Sequence, residues 1–383
     1  MLSYRILLYF IASFLLLTAA PDYSAQDVVV APESRPAPSP TPTPAEREGQ
    51  DSVKVFTEEV RLPILVTDDK GRFDPTLEAA DILVLEDDVP QEVRSVRHMP
   101  ASLLLLLDTS GGINPAMKTT TTRAIALSLV SKLKQGDLVS VLQAGDRVEL
   151  LQPWTTDAEA LTRALRTRLS SGKRKHLSDA LVRAAAELKE APYGNRHLVL
   201  VTDGVEATAG AAQAEAIKQL SGAQATVHVI SYTAIGREAM ERLSSRAKFG
   251  NTRARTAGDV AREADPSIPT PSRGPINVTI DTDRAMRRQR EEYIEATKRS
   301  EQRLTLLAEE TGGRISSPTT TEEIVRQGAE VAREIGAQYV VTYRPKRPLA
   351  EARAGEYRRV RVVLRRPGLS VRSRNGYITT GAQ

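Results

Sequence analysis

The sequence predicts an α/β protein with a doubly wound, mostly parallel sheet and a small β domain formed from its N- and C-terminal strands. Five consecutive leucines at residues 103–107 predict a strand that is buried on both faces, as strands of parallel sheets are. A second apolar strand, residues 198–202, ends in Asp203-Gly204. Strand and helix patterns alternate between residues 101 and 235, which favours helices on both faces of the sheet.

Apolar periodicity places the other elements of the α/β region. Helical spacing predicts helices near residues 126–133, 161–169, 177–188, 211–220 and 324–335. Short apolar runs predict further strands at residues 138–142, 148–151, 226–232 and 339–343. We expect the strand at 148–151 to pair with the one at 138–142.

Residues 1–25 have the pattern of a signal peptide. Arg5 supplies the positive start, residues 6–20 are apolar, and Ala25 is a small residue for cleavage. The alternative is an uncleaved membrane anchor, although the apolar stretch is short for a span. Proline-rich residues 26–50 predict a disordered spacer. We therefore expect a secreted protein, or one of the periplasm or cell envelope.

Strand patterns flank the α/β region on both sides. Residues 51–99 form the predicted N-terminal β segment, and residues 346–383 form the C-terminal one. A few strands are not stable alone, so we expect these two segments to pack together. The α/β domain, residues 100–345, then lies between them in the chain.

Residues 236–300 interrupt the α/β pattern and form a predicted insertion. Four prolines between residues 265 and 275 predict a loop, and about half of residues 284–303 are ionic. The ionic stretch suits a solvated helix or a coiled extension that binds a partner. The alternative is an exposed loop and helix with no partner.

Composition excludes several classes of function. The 383 residues carry a net charge of +5, which is too small an excess to indicate nucleic acid as a partner. Aromatic residues make up 4% of the chain, which disfavours a base-stacking surface. No cysteine is present, so disulfides and thiolate metal ligands are excluded. We expect contact with a membrane only through an uncleaved signal segment.

Signatures of catalysis are missing from the sequence. The four histidines, His98, His176, His197 and His228, are scattered without metal-ligand spacing. Neither a nucleophile elbow nor a phosphate-binding glycine loop occurs. We therefore expect a protein that is not an enzyme, with a metal-dependent hydrolase as the less favoured alternative.

Polar residues follow the two most apolar strands. Asp108 and Ser110 come after the leucine strand, and Asp203 comes after the second strand. Ligands of doubly wound sheets bind beyond the carboxyl ends of the strands. We therefore expect the side chains of Asp108, Ser110 and Asp203 to lie together at that edge of the sheet, the rim. Two carboxylates at one rim repel each other unless a cation balances them.

These residues carry a resemblance to a known family. Asp108-Thr109-Ser110 after one strand and Thr202-Asp203-Gly204 after a later strand resemble the von Willebrand factor type A domain. Residues 53–379 also resemble the bacterial VWFA-related proteins typical of Acidobacteria, in the motifs at 66–71, 85–87, 307–314, 338–345 and 375–377. The resemblance implies a type A fold and a function in adhesion or protein–protein interaction.

The resemblance also implies a metal-ion-dependent adhesion site. Such a site binds Mg²⁺ or Mn²⁺ through hydroxyl and carboxylate oxygens, and a carboxylate of a protein ligand completes the shell. Asp108, Ser110 and Asp203 match the family's metal-site residues. The second serine of the family corresponds to Gly112 and its threonine to Lys175, so two of three hydroxyl ligands are missing and the implied site is degenerate.

Two alternatives follow for this rim. In one, the site is free of metal, and the ammonium of Lys175 is the counter-ion of the carboxylates. In the other, a weak site for Mg²⁺ or Mn²⁺ persists, with water, Ser171 or Ser178 filling the missing positions. The expected function is protein binding through this site. The alternative is an envelope scaffold with a vestigial site, whose contacts run through residues 284–303.

Overall fold

The computed structural model describes residues 59–111, 115–204, 211–239, 241 and 282–379, which all belong to one compact unit, residues 56–383. The expected signal peptide and spacer, Gly112 and much of the expected insertion lie outside the described residues. Within the described ranges, no helix is long and apolar enough to cross a membrane.

The strands and helices follow the predicted alternation. In chain order the strands are β1 (Val60–Asp68), β2 (Ile82–Glu86), β3 (Val89–Arg97), β4 (Ser102–Asp108), β5 (Leu138–Ala144), β6 (Val148–Thr155), β7 (Arg196–Thr202), β8 (Thr226–Ser231), β9 (Ile315–Ser316), β10 (Tyr339–Arg344), β11 (Tyr357–Leu364), β12 (Leu369–Ser373) and β13 (Gly376–Ile378). The helices are α1 (Pro115–Val130), α2 (Ala158–Thr167), α3 (Leu177–Lys189), α4 (Ala211–Gly222), α5 (Thr282–Glu310) and α6 (Thr321–Ala337).

The leucine strand β4 lies at the centre of a six-stranded sheet. The strand order is β6-β5-β4-β7-β8-β9, and every neighbouring pair is parallel except β5 and β6. Helices α1, α2 and α6 cover one face of this sheet, and α3, α4 and α5 cover the other. Both faces of β4 are therefore buried, and the predicted doubly wound, mostly parallel α/β fold is confirmed.

Strands from both ends of the chain form the second sheet. Its order is β12-β1-β10-β3-β2-β11-β13, with antiparallel neighbours throughout. The predicted boundary at residue 345 is wrong, because β10 lies between β1 and β3 in this sheet. Tyr339, Val341 and Tyr343 of β10 point into its apolar core. An apolar run alone does not distinguish such a strand from one of a parallel sheet.

The ionic stretch at residues 284–303 belongs to α5, and its predicted solvation is wrong for part of its length. Thr297 and Ser300 are fully buried, and the stripe continues through Leu304 and Ala308 into the core of the α/β layer. The spacing of these four residues keeps them on one helical face. Charges on the other faces hide this short, partly polar stripe in the sequence.

A buried ion pair ties four strands of the second sheet together. Glu86 of β2 accepts hydrogen bonds from the hydroxyls of Tyr343 and Tyr377, at 2.8 and 2.9 Å. Its other carboxylate oxygen lies 3.1 Å from Nη1 of Arg358, a side chain with no exposed surface. Arg358 also donates to the carbonyls of Arg347 and Pro348. Both carboxylate oxygens of Glu86 therefore have hydrogen-bond partners within the protein.

Two buried histidines lie side by side where β7 and β8 begin. The rings of His197 and His228 stack with centroids 5.8 Å apart. Burial, followed by the charge of Arg374, lowers the pKa of His197 to about 3. Burial also holds the pKa of His228 well below its usual value, with further contributions from His197, Arg372 and Arg314. Both rings are therefore neutral at neutral pH.

Replacing Arg358 with methionine should lower the free energy of unfolding by about 3–5 kcal/mol, because Glu86 keeps its buried charge without a cation. The neighbouring Arg359→Met variant is the matched control, since the Arg359–Asp88 pair is more than half exposed and contributes at most about 1 kcal/mol. Urea denaturation of both variants measures the difference. Equal losses in the two variants would contradict the assignment.

Acid should destabilise the folded chain below about pH 6.5, the ordinary histidine pKa. The unfolded chain takes up protons there while folded His197, with its pKa at about 3, does not. The contribution of His197 to stability is thus complete above pH 6.5 and falls toward pH 3 by about 1.4 kcal/mol per pH unit. We expect His228→Leu to flatten the pH dependence of the urea midpoint relative to the parent chain. An unchanged slope in His228→Leu would contradict this account.

Candidate functional site

Asp108 ends strand β4 with a side chain that is 3% exposed. Its Oδ1 accepts hydrogen bonds from the backbone nitrogen and the hydroxyl of Ser110, at 3.0 and 2.6 Å. Its Oδ2 accepts a hydrogen bond of 2.7 Å from the hydroxyl of Thr202, at the end of β7. Because β4 and β7 are parallel neighbours, both strand ends meet at this rim, as predicted.

Lys118, in the first turns of α1, places its ammonium between the two rim carboxylates. Nζ lies 3.2 Å from Oδ2 of Asp108 and 3.4 Å from Oδ2 of Asp203. It also donates to the carbonyl of Ser110 at 2.8 Å. An ammonium has three donors, and these three oxygens are acceptors for them. The Lys118 side chain is 8% exposed, so this cation is part of the protein interior.

The pKa values of this pair favour the charged forms. Burial by itself lowers the pKa of Lys118, but attraction to Asp108 and then Asp203 outweighs it and raises the pKa. Burial likewise raises the pKa of Asp108, yet the Lys118 ammonium and the hydrogen bonds from Ser110 and Thr202 lower it overall. Asp108 is therefore a carboxylate, and Lys118 an ammonium, at neutral pH.

Lys175 approaches Asp203 from the loop before α3. Its Nζ lies 3.2 and 3.3 Å from the two carboxylate oxygens, and its side chain is 25% exposed. Glycine at position 111 leaves room for it: a Cβ there would lie 2.6 Å from Cε of Lys175, and φ is +58°. The predicted contact between Lys175 and a rim carboxylate is present in the structure.

The structure brings Asp108, Ser110 and Asp203 together as the sequence predicted. Ser171 and Ser178 were the serines expected to replace the missing hydroxyl ligands of the metal site. Ser171 is exposed in the loop before α3, and Ser178 is buried in the first turn of that helix.

Sequence reasoning missed Lys118, although a signal existed. Lys118 and Arg123 are the only charged residues of α1. A lysine near a helix N-terminus opposes the helix dipole, so its presence indicates nearby carboxylates.

The residues at the rim do not fit the divalent cation that the resemblance implies. Mg²⁺ requires oxygen ligands at about 2.0–2.1 Å, whereas the ammonium of Lys118 already lies between the carboxylates of Asp108 and Asp203. Lys118 and Lys175 balance these two charges, so a divalent ion would add excess positive charge to a buried site. Within the described ranges, no group of three His, Cys, Asp or Glu residues could hold a metal ion.

Helix α5 closes one side of the rim. The hydroxyl of Ser300 lies 3.5 Å from the carbonyl of Asp203. Gly204 adopts φ of +64°, and a Cβ on it would lie 2.0 Å from Oγ of Ser300 and 2.7 Å from Cδ1 of Leu304. The Gly204 nitrogen donates to the hydroxyl of Thr202 at 2.8 Å. Gly204 therefore packs directly against Ser300 and Leu304 of the buried stripe of α5.

A mostly apolar cavity of about 190 Å³ opens beside the ion pair of Lys118 and Asp203. Apolar and aromatic groups make up most of its wall, and these include Met117, Tyr232, Ile235, Ala239 and Tyr293. Met117 is 52% exposed and marks the mouth of the cavity. The rim thus places the ion pair of Lys118 and Asp203 next to an apolar cavity.

Comparison with known protein families gives a match for one segment of the chain. Residues 103–206 match the family model described as von Willebrand factor type A domain. No curated protein matches the sequence.

Solved structures show a distant likeness. The chain is similar to the vWF domain of the type V pili tip protein Mfa5 from Porphyromonas gingivalis, at 17% identity and a TM-score of 0.27, over 28% of this chain and 39% of that one. It is also similar to a von Willebrand factor type A protein from Catenulispora acidiphila, at 12% identity and a TM-score of 0.42, over 81% of this chain and 76% of that one. An aerotolerance-related membrane protein from Bacteroides fragilis shares 14% identity over 62% of this chain and 98% of its own, with a TM-score of 0.36.

Replacing Gly204 with alanine should destabilise the chain by about 1–3 kcal/mol, because the methyl group meets Ser300 and the positive φ is strained. Gly222→Ala is the control, since a Cβ there meets nothing within 4 Å. Thermal unfolding of both variants measures the effect. A Gly204→Ala variant as stable as the parent would show that α5 does not pack against the rim as described.

Proposed function

Because residues 103–206 form a von Willebrand factor type A domain, we propose that the chain is a non-catalytic module that binds a protein partner at the rim of Asp108, Ser110 and Asp203. The observation that carries the proposal is the position of this rim at the carboxyl ends of β4 and β7, where ligands of doubly wound sheets bind. The apolar cavity beside it supplies a recess for a side chain of the partner.

The proposed site is a degenerate metal-ion-dependent adhesion site that works without Mg²⁺ or Mn²⁺. The ammonium groups of Lys118 and Lys175 supply the positive charge that a divalent ion supplies in the family. A partner carboxylate was expected because it would complete the shell of a metal ion. With an ammonium whose three donors already face oxygens, we propose instead that the partner inserts an apolar side chain into the cavity.

A binding role suits the chemistry of the rim better than catalysis. A general acid or base works best with a pKa near the working pH, whereas the pKa of Asp108 is lowered. Its oxygens accept hydrogen bonds from Ser110 and Thr202 and contact Lys118. The carboxylate is therefore held as a fixed, ionised acceptor, which supports a role in organising the rim.

The proposed location is outside the cytoplasm, either secreted or in the periplasm or cell envelope. The support is the signal-peptide pattern of residues 1–25. The scaffold alternative, with contacts through residues 284–303, is less favoured, because Thr297 and Ser300 in this stretch are buried.

A photo-crosslinking residue at Met117 tests the proposal. We expect it to give a discrete protein adduct in the envelope fraction of the source cells. Filling the cavity with Ala239→Trp should reduce the adduct about tenfold, equivalent to about 1.4 kcal/mol of binding energy. The same probe at Phe73 is the control. This residue lies between β1 and β2 of the second sheet and is 40% exposed. Equal adducts at both positions, or no effect of Ala239→Trp, would refute binding at the rim.

A further inference from the structure

We propose that the ammonium of Lys118 is a built-in replacement for the divalent cation of the adhesion site, so that this rim is charge-balanced without metal and its partner binding is insensitive to chelators. The inference rests on the proposed function in taking the rim as the binding site. Its central claim concerns the cation alone and can be tested without a partner.

The first support is the set of atoms around Nζ of Lys118. Oδ2 of Asp108, the carbonyl of Ser110 and Oδ2 of Asp203 lie 3.2, 2.8 and 3.4 Å from it. All three are hard oxygen atoms, the ligand type that Mg²⁺ and Mn²⁺ prefer. The ammonium thus lies inside a group of oxygens typical of a cation site, at hydrogen-bond distances instead of metal-bond distances.

The second support is the orientation of two hydroxyls. The hydroxyls of Ser110 and Thr202 lie 2.6 and 2.7 Å from the carboxylate of Asp108. They fix the orientation of the carboxylate that Lys118 contacts. Without the lysine side chain, the carboxylates of Asp108 and Asp203 and the carbonyl of Ser110 would face the vacated position. A hard divalent cation accepts such a set.

The third support is the contrast between the two lysines of the rim. The Lys118 side chain is 8% exposed and contacts both carboxylates, whereas that of Lys175 is 25% exposed and approaches Asp203 from the loop. Lys118 therefore takes the central position, and Lys175 adds charge from the outside. The sequence had indicated Lys175 for the central role, and the geometry assigns it to Lys118.

A tethered cation has a physical consequence for regulation. A divalent ion leaves its site when its free concentration falls or a chelator is added. The ammonium of Lys118 is attached to α1 and cannot diffuse away. The rim should therefore keep one arrangement at any level of free Mg²⁺, which suits a protein exposed to changing ion concentrations outside the cytoplasm.

Thermal unfolding of the full chain tests the replacement, with EDTA, MgCl₂ and MnCl₂ as the added conditions. We expect the parent to unfold at the same temperature in all three. Lys118→Met should unfold on the order of 5 °C lower in EDTA, because Asp108 and Asp203 lose their shared counter-ion. Mn²⁺ should restore most of this loss, and electron paramagnetic resonance should show about one bound Mn²⁺ per chain.

Lys175→Met is the matched control, because it removes a lysine from the same rim without opening the central position. We expect it to show neither metal-dependent stability nor bound Mn²⁺. A parent chain that binds Mn²⁺ and is stabilised by it would overturn the inference. So would a Lys118→Met chain that binds no Mn²⁺, or one that fails to fold even with Mn²⁺, since the ion would then be unable to replace the ammonium.

The outcome is distinguishable from that of the crosslinking experiment. Metal binding gained by Lys118→Met, together with no adduct at Met117, would support the cation replacement and reject the rim as the docking surface. An adduct at Met117 together with Mn²⁺ binding by the parent would support the docking surface and reject the replacement.

Discussion

The contact of the Lys118 ammonium with Asp108 and Asp203 is the interaction on which the arrangement of the rim depends. Parallel pairing of β4 and β7 brings two carboxylates to one edge of the sheet, where both are almost fully buried. Like charges in such a place raise each other's pKa or force the strands apart unless a cation lies between them. Lys118 supplies that cation and thereby connects the start of α1 to the ends of both strands.

The loop before α3 and helix α5 both pack closely against the residues around this ion pair. Gly111 provides space for Lys175, and Gly204 provides space for Ser300 of α5. Glycine is required at both positions, because each combines a positive φ with a close neighbour. The loop before α3 and the buried stripe of α5 are thus fitted to a rim whose charges are already balanced. The charges of the rim are paired with one another, and the mostly apolar cavity beside them is the surface it offers to a ligand.

The two sheets meet at a second group of ionic contacts, distant in sequence from the rim. Glu334 of α6 lies 2.9 Å from Nε of Arg314 and 2.5 Å from Nη2 of Arg372 of β12. One carboxylate thereby links the helix of one layer to a strand of the other. His197 and His228 lie near these arginines and stay neutral, so positive charge does not accumulate there at neutral pH.

Local patterns along the chain were enough to predict the α/β layer, the pairing of N- and C-terminal strands in one β domain, and the meeting of Asp108, Ser110 and Asp203. These follow from local patterns: an uninterrupted apolar run must be buried on both faces, and the ends of adjacent parallel strands lie at one edge. The role of Lys118, the place of β10 and the burial of Thr297 and Ser300 could not be predicted from such patterns and became visible in the folded chain. Which carboxylates a lysine meets depends on how α1 crosses the sheet, and an apolar run such as β10 fits either sheet. The charge partners of a lysine and the neighbours of a strand are set by contacts between segments that are distant in the sequence. The spacing of residues within one segment does not predict such contacts.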